Sequence, residues 1–508
     1  MKARGDYIGG RWVRRRHGAG ELRSVDPGDL NQVFGSFPIH ADSVDGACAA
    51  ARKATAGWGA IDAKEQRRAA LVRIKAQLAN RATPLTEQLS RETGRPRWDT
   101  QQEVRRLRQE VDHVLEAGLA PSTYERRLPS GCKIERRPRG VVALLAPSSQ
   151  PAATLHHDVI AALAVGCTVV LKPSPLTPGL GQLYAELIDE ADLPRGVFNM
   201  VQGDDEVGVR LATHPQIDVL LFSGRRRSAE QLVEDLSPTT LSPVATKPPP
   251  LLLARTAGRS VAVVLDDANL DEAAAEIAVG ACVGTGQRAA TTRAVLVQRR
   301  IADALAERLQ RLLSDLRVGH ASRHDVFMGP AVSADAQARF VDHGAALRHT
   351  TERQLVRPET SERADPMDDK SPPGHYLRPG LFACSPEQLP ELLAPERCGP
   401  LLLLAELEDQ QHASQLLAGC PERLVDAVFT RSTSAFDELT RTTRVPLLLL
   451  NAPTTRWHAE LPLEPLSSLG APLPGGVATA RALTTACVSV SRDSAFDETM
   501  LPPGLTLR

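Results

Sequence analysis

No two of the chain's cysteines form a C-x-x-C pair, and none stands with histidines at zinc-binding spacing. The eight, at positions 48, 132, 167, 282, 384, 398, 420 and 487, are scattered over 508 residues. That argues against a zinc site and for reduced, mostly buried thiols in a cytoplasmic protein. Net charge is also missing, since 60 Lys and Arg meet 61 Asp and Glu. This removes the global electrostatic reason to bind nucleic acid or an anionic membrane, and leaves little self-repulsion against self-association. No apolar run is long enough to span a bilayer. The basic N-terminus has no apolar segment behind it, so no signal peptide is expected. Internal repeats and low-complexity segments are absent too. What remains is 42% hydrophobic and 24% charged residues, ordinary for a globular protein with two or three domains.

Two periodicities alternate along the chain. Val104, Leu107, Val111, Val114 and Leu115 recur at three- and four-residue steps, as do Ile74 and Leu78, then Leu85 and Leu89. These predict amphipathic helices. The short apolar runs 141–145, 168–171 and 219–222 predict buried parallel strands in a βαβ series. A nucleotide is expected at the carboxyl ends of such strands. Two stretches are expected to be loops: Ser237 to Pro250, with five prolines, and the charged segment His349 to Gly374, expected to be mobile. Pro129-Ser130-Gly131 signals a turn before a weakly alternating run, Cys132 to Arg137.

The stretch Gly284-Thr285-Gly286-Gln287-Arg288-Ala289 resembles the Gly-Gln-Arg-Cys signature of the aldehyde dehydrogenase superfamily. Other matches follow in family order. They are Tyr7 to Val13, Ser24 to Asp29, Glu92-Thr93-Gly94-Arg95-Pro96, Leu171-Lys172-Pro173-Ser174, Phe222-Ser223-Gly224 and Glu396-Arg397-Cys398-Gly399-Pro400. Asn451 with Pro453-Thr454-Thr455 resembles the branch that oxidises N-succinylglutamate 5-semialdehyde. The resemblance implies an α/β fold. A doubly wound, Rossmann-type cofactor domain would span 1–125 and 144–252, and a second α/β catalytic-type domain 253–466. A β-arm at 126–143 and 477–491 would reach a neighbouring subunit, giving a homo-oligomer, dimer or tetramer.

The same resemblance marks what is missing. The family's nucleophilic Cys is Ala289, and the position after next, often a second Cys in this branch, is Thr291. A methyl group cannot attack a carbonyl. The oxyanion Asn aligns with Ser149, and loss of such a donor costs on the order of 10²–10³-fold in rate. The general-base Glu aligns with Arg255, which cannot accept a proton, and no carboxylate lies between Asp235 and Asp266. Cys282, Cys398, Thr291 and Ser149 are the candidate substitutes. Their ordinary readings are a core thiol, a small filler where the family has Phe, and inert polar lining. His156-His157 are expected at a surface or helix cap, because adjacent helical residues point apart.

For the cofactor, the resemblance places Lys172 at the adenosine ribose and Glu396 at the nicotinamide ribose. Ser223-Gly224 would open a helix facing a pyrophosphate, with Arg225, Arg226 and Arg227 as phosphate clamps or a solvated cluster. Gly203 and Gly208 bracket an acidic turn that would repel a 2′-phosphate, so NAD is expected ahead of NADP if either binds. Two readings stand. One is a family member without oxidation activity, acting as a binding, regulatory or assembly partner, with itself or with an active relative. The other is an NAD(P)-dependent oxidoreductase of a succinylglutamate-semialdehyde-like substrate with atypical catalytic residues.

Overall fold

The structure is a computed structural model describing residues 1–14, 20–118, 125–128, 132–237, 248–256, 258–364, 372–456, 461 and 476–490. Its first sheet has seven strands, in the order Leu251–Thr256, Val219–Gly224, Val141–Leu145, Thr168–Lys172, Phe198–Met200, Asp6–Ile8 and Arg11–Val13. The first five are parallel and the last two antiparallel. Val141–Leu145 and Thr168–Lys172 are buried at every position, as the unbroken apolar runs require of strands covered on both faces. From Val141–Leu145 the chain winds outward one way, then returns to lay Val219–Gly224 on the other side. That reversal opens a crevice at the carboxyl ends of these two strands.

The helix Pro151–Val165 starts at this reversal and is buried along nearly its whole length. A helix apolar on all sides belongs inside a protein, and this one packs against the sheet in the main core cluster. The helices Lys64–Asn80, Ala82–Thr93 and Arg97–His113 bury Ile74, Leu78, Leu85, Leu89, Val104, Leu107 and Val111, the predicted faces.

The second sheet also has seven strands: Arg353–Val356, Gly380–Ala383, Leu401–Leu407, Thr292–Gln298, Ser260–Val264, Val425–Phe429 and Leu447–Leu450. All but the first are parallel. Leu251–Thr256 hydrogen-bonds into the first sheet, which therefore runs past residue 252 to Thr256.

A three-stranded sheet forms the arm, with Cys132–Pro138 between Glu125–Arg127 and Thr484–Val490. The arm's last strand is supplied by the same chain, paired antiparallel from Thr484 opposite Pro138 to Val490 opposite Cys132. Just before it, Gly476–Ala482 is helical, with Ala480 in the core cluster of the first sheet.

The segment expected to be a mobile loop, His349 to Gly374, instead contributes strands. Arg353–Val356 edges the second sheet, and Glu359–Arg363 pairs with Pro373–Arg378. Their charged residues belong to edge and two-stranded pieces, where one face stays wet. Residues 365–371 lie outside the described residues, as do 238–247 of the proline-rich stretch.

Candidate functional site

A cleft of about 740 Å³ lies between the two sheets. The first sheet offers it the carboxyl ends of its strands, through Ala146 to Gln150, Ser174, Ser223 to Arg226, and Arg255-Thr256. The second sheet offers the loops that precede its strands: Gly258-Arg259, Gly284 with Gln287 to Ala289, Glu396 to Cys398, and Glu422 with Leu424. Ala289, Arg255 and Ser149, far apart in sequence, thus line one space.

The loop carrying Ala289 is held firmly. Gly284, Thr285 and Gly286 are all left-handed, with φ of 63°, 59° and 61°. Thr285 is the costly one, because its side chain disfavours positive φ. Its hydroxyl donates to the carbonyls of Gly329 and Pro330 at 3.1 and 3.0 Å, anchoring the turn. Gly286 must be glycine, since a Cβ there would stand 2.4 Å from the Gly399 carbonyl carbon. Arg293 ties the same turn to the Glu396–Pro400 loop. It donates to Gly286 O at 2.9 Å, to Arg397 O at 2.9 Å and to Gly399 O. Ala289 O accepts from Gly258 N–H at 2.8 Å, and Thr454 Oγ donates to Ala290 O at 2.6 Å. The backbone is anchored on both sides of a side chain that is only a methyl.

Arg255 ends the strand Leu251–Thr256 and is 8% exposed. Its Nη1 donates to Asp158 Oδ2 at 2.7 Å, and Nη2 stands 2.6 Å from Oδ1. Asp158 is also buried, on the helix Pro151–Val165. The guanidinium is therefore neutralised in place by a buried carboxylate. Ser149 lies just before that helix, where Gln150 takes a left-handed φ of 50°. Arg288, next to Ala289, is buried and paired with Asp99. Arg95 holds the same Asp99 through two bonds of 2.8 Å and also pairs with Glu103, whose other oxygen accepts from Ala153 N–H at 2.8 Å. Burial alone would raise the Asp99 carboxyl, but Arg288 and Arg95 outweigh it and bring it down to about 2.

At the other end of the cleft, the strand Val219–Gly224 runs through Ser223 and Gly224, so these residues close a strand. The helix begins at Arg226, with Arg225 as its N-cap. Glu396 Oε2 accepts from Arg226 N–H at 2.9 Å. A carboxylate of the chain thus sits on a helix N-terminus of the kind that holds phosphates. Asp335 Oδ2 is shared by Arg225 and by Arg339 Nε, the latter at 3.1 Å. Ser223 Oγ is buried without a hydrogen-bond partner among the described residues. Lys172 is 5% exposed, and its Nζ donates to Gly203 O at 2.9 Å and Pro173 O at 3.3 Å. Burial pushes its ammonium down to about 8, against the pull of Asp205 and Asp204. Gly203 precedes the helix Asp205–Ala212, which Asp204 caps and Gly208 lies within, so the two glycines do not bracket a loop.

A model of the aldehyde dehydrogenase family matches residues 12–463. The chain belongs to the aldehyde dehydrogenase family. It is 30% identical over 457 residues, 88% of each chain, to N-succinylglutamate 5-semialdehyde dehydrogenase of Burkholderia mallei. The protein of that name from Erwinia tasmaniensis is 29% identical over 471 residues, 91% of this chain and 90% of its own. Among solved structures, a putative aldehyde dehydrogenase from Burkholderia cenocepacia superimposes with a TM-score of 0.86 at 24% identity, covering 99% of both chains. A Thermus 1-pyrroline-5-carboxylate dehydrogenase with bound NAD gives 0.84 at 22%, covering 96% of this chain and 93% of that one. The fold is that of aldehyde dehydrogenases.

Within this aldehyde dehydrogenase fold the substitute nucleophiles separate. Cys282 ends the helix Leu270–Cys282 inside a core cluster, and burial pushes its thiol up to about 12. Thr291 is fully buried, its hydroxyl bonded to Arg288 O at 2.8 Å, and is not part of the cleft lining. Cys398 does line the cleft. Burial raises its thiol, opposed by Arg339, Arg293 and Arg225. The two histidines are at neither a surface nor a cap, since both are fully buried. His156 bridges Tyr184 Oη and Leu107 O, each at 2.9 Å. His157 pairs with Glu110 and reaches Thr479 Oγ at 3.1 Å. Adjacent residues do point apart on this helix, but both directions lead into protein. The expectation missed Asp158 and Asp335, and named Thr454 only within a branch motif. One clue was present: three polar residues in a row, His156-His157-Asp158, inside an apolar helix must each find a buried partner.

Proposed function

We propose that this chain is a non-oxidising member of the aldehyde dehydrogenase family. It binds a small ligand in the cleft between its sheets and serves as a binding, regulatory or assembly partner, in a homo-oligomer or beside an active relative. The observation that carries this reading is the pairing of Ala289 with an Arg255 already neutralised by Asp158. Covalent aldehyde oxidation needs a heteroatom nucleophile and then a base that activates water. A methyl supplies no nucleophile, and a guanidinium bound to a carboxylate supplies no base.

NAD is the dinucleotide this cleft would take ahead of NADP, because Asp204 and Asp205 stand beside Lys172 and disfavour an added phosphate. A pyrophosphate fits the N-terminus of the helix Arg226–Leu236 if Glu396 releases Arg226 N–H. Ser223 Oγ and Arg225 are then the side chains to hold it. Lys172 is tied to two carbonyls, so affinity is expected to be low.

The second reading rests on Cys398, the one thiol in the cleft lining. With Cys398 as nucleophile, the chain would be an NAD-dependent oxidoreductase of a succinylglutamate-semialdehyde-like substrate. Intact-mass spectrometry with succinylglutamate semialdehyde and NAD separates the two. No acyl adduct is expected; an adduct mapped to Cys398 would favour the second reading.

A further inference from the structure

Among the described residues, ten arginines line the cleft against four carboxylates. Most of these arginines are engaged. Arg95, Arg255 and Arg288 are in buried ion pairs, and Arg293 donates to three carbonyls. Arg225 and Arg339 share Asp335, and Arg259 donates twice to Ala394 O, at 3.1 and 2.7 Å.

Arg106 and Arg397 have no such partner among the described residues, but Glu103 and Asp99 favour the charge on Arg106, and Arg397 has no carboxylate acting on it. Arg397 lies between Glu396, which faces Arg226, and Cys398, and lines the cleft beside Arg259 and Arg293. Its guanidinium makes no hydrogen bond or ion pair with any described residue. Burial pushes it down to about 10, Arg293 and Arg259 push the same way, and only the Cys384 thiol opposes them. Glu396 and Glu422 act on Arg259 but do not offset Arg397. At neutral pH it is still a cation, half-buried and flanked by two others. A partly desolvated charge beside other cations gains from an anionic partner.

We propose that Arg397, with Arg259, forms an anion site in the cleft for a small molecule bearing two negative charges, as a phosphate ester or a dicarboxylate. The proposal rests on the cleft being a ligand site and gives the ligand's class. Arg397 supplies a planar fork that two oxyanion oxygens can accept from, the pairing at which guanidinium outperforms ammonium. Arg259, which also acts on Arg397, supplies further positive charge. The Arg293 clamp on the neighbouring turn is left intact.

The test is calorimetric titration of the full chain with inorganic pyrophosphate and, separately, succinate. At least one should bind, with affinity falling as salt rises. If pyrophosphate binds more tightly the source is a phosphate compound; if succinate does, a carboxylate. Arg397→Gln should weaken binding roughly tenfold or more, the loss of one charge-assisted pair. Arg397→Lys should weaken it less. Arg348→Gln, on the exposed last turn of the helix that carries Arg339, should change nothing. Circular dichroism on each variant separates lost binding from lost folding, and if Arg397→Gln does not fold, Arg259→Gln takes its place with the same expected loss. No heat with either probe, or unchanged affinity in a folded Arg397→Gln, would overturn the anion site. NADH formation by the unmodified chain would overturn the non-oxidising reading and leave the anion site standing.

Discussion

Arg255 stands where the resemblance expects a catalytic carboxylate, and its guanidinium is already held by Asp158. A single change to Glu at this position is therefore expected to fail for a structural reason. Arg255→Glu would set two buried carboxylates against each other, and breaking such a pair costs about 3–5 kcal/mol. Urea unfolding should show that loss, and Arg255→Glu with Asp158→Asn should recover much of it. A variant restoring Cys at 289, Glu at 255 and Asn at 149 should turn over only with the change at Asp158 added. Ala289, Arg255 and Ser149 were named from the resemblance, and the fold brings all three to one cleft. Asp158 was not, because 97 residues separate it from Arg255 and only the folded sheet brings them together.

At the scale of elements, the turn around Gly284–Gly286 and the helix Arg97–His113 are joined through Arg288 and Asp99. Asp99 also holds Arg95, which Glu103 shares, so two carboxylates compensate two buried cations. The folded Asp99 carboxyl is held at about 2, below its ordinary value. The contribution is thus complete above about pH 4 and is lost as pH falls toward 2, on the order of 2 kcal/mol. Wild-type stability measured by denaturant titration should decline through that window. Asp99→Asn should be less stable by about 3–5 kcal/mol at neutral pH and lack that part of the acid dependence. Buried elements such as Val141–Leu145 were readable because an unbroken apolar run has few other uses. The strands within 349–374 were not, because an edge or two-stranded piece needs little apolar surface, and charge there looks like loop. The fate of His156 and His157 was hidden for the opposite reason: burial of a polar residue depends on partners supplied by distant helices.

For the whole molecule, two observations bear on assembly. The strand Thr484–Val490 has a partner on one side only among the described strands, and its Val488 is 62% exposed. An apolar edge of this kind is ordinarily paired or covered. We propose that it is covered by a second copy of the chain. Light scattering at micromolar concentration should then show at least a dimer. Val488→Lys should weaken association roughly tenfold or more, the equivalent of one buried Val. A monomeric wild type would contradict this.

The cleft ties the two sheets into one functional unit. The first sheet supplies carboxyl ends of strands, and the second supplies an anchored loop that presents the methyl of Ala289. Whether that loop still does chemistry decides between the two functional readings. The most direct measurement is NADH formation by the purified, unmodified chain, followed at steady state with succinylglutamate semialdehyde and simple aldehydes at saturating NAD. The account predicts no rate above the protein-free background. Robust turnover that disappears on Cys398→Ala would contradict it and assign Cys398 as a displaced nucleophile.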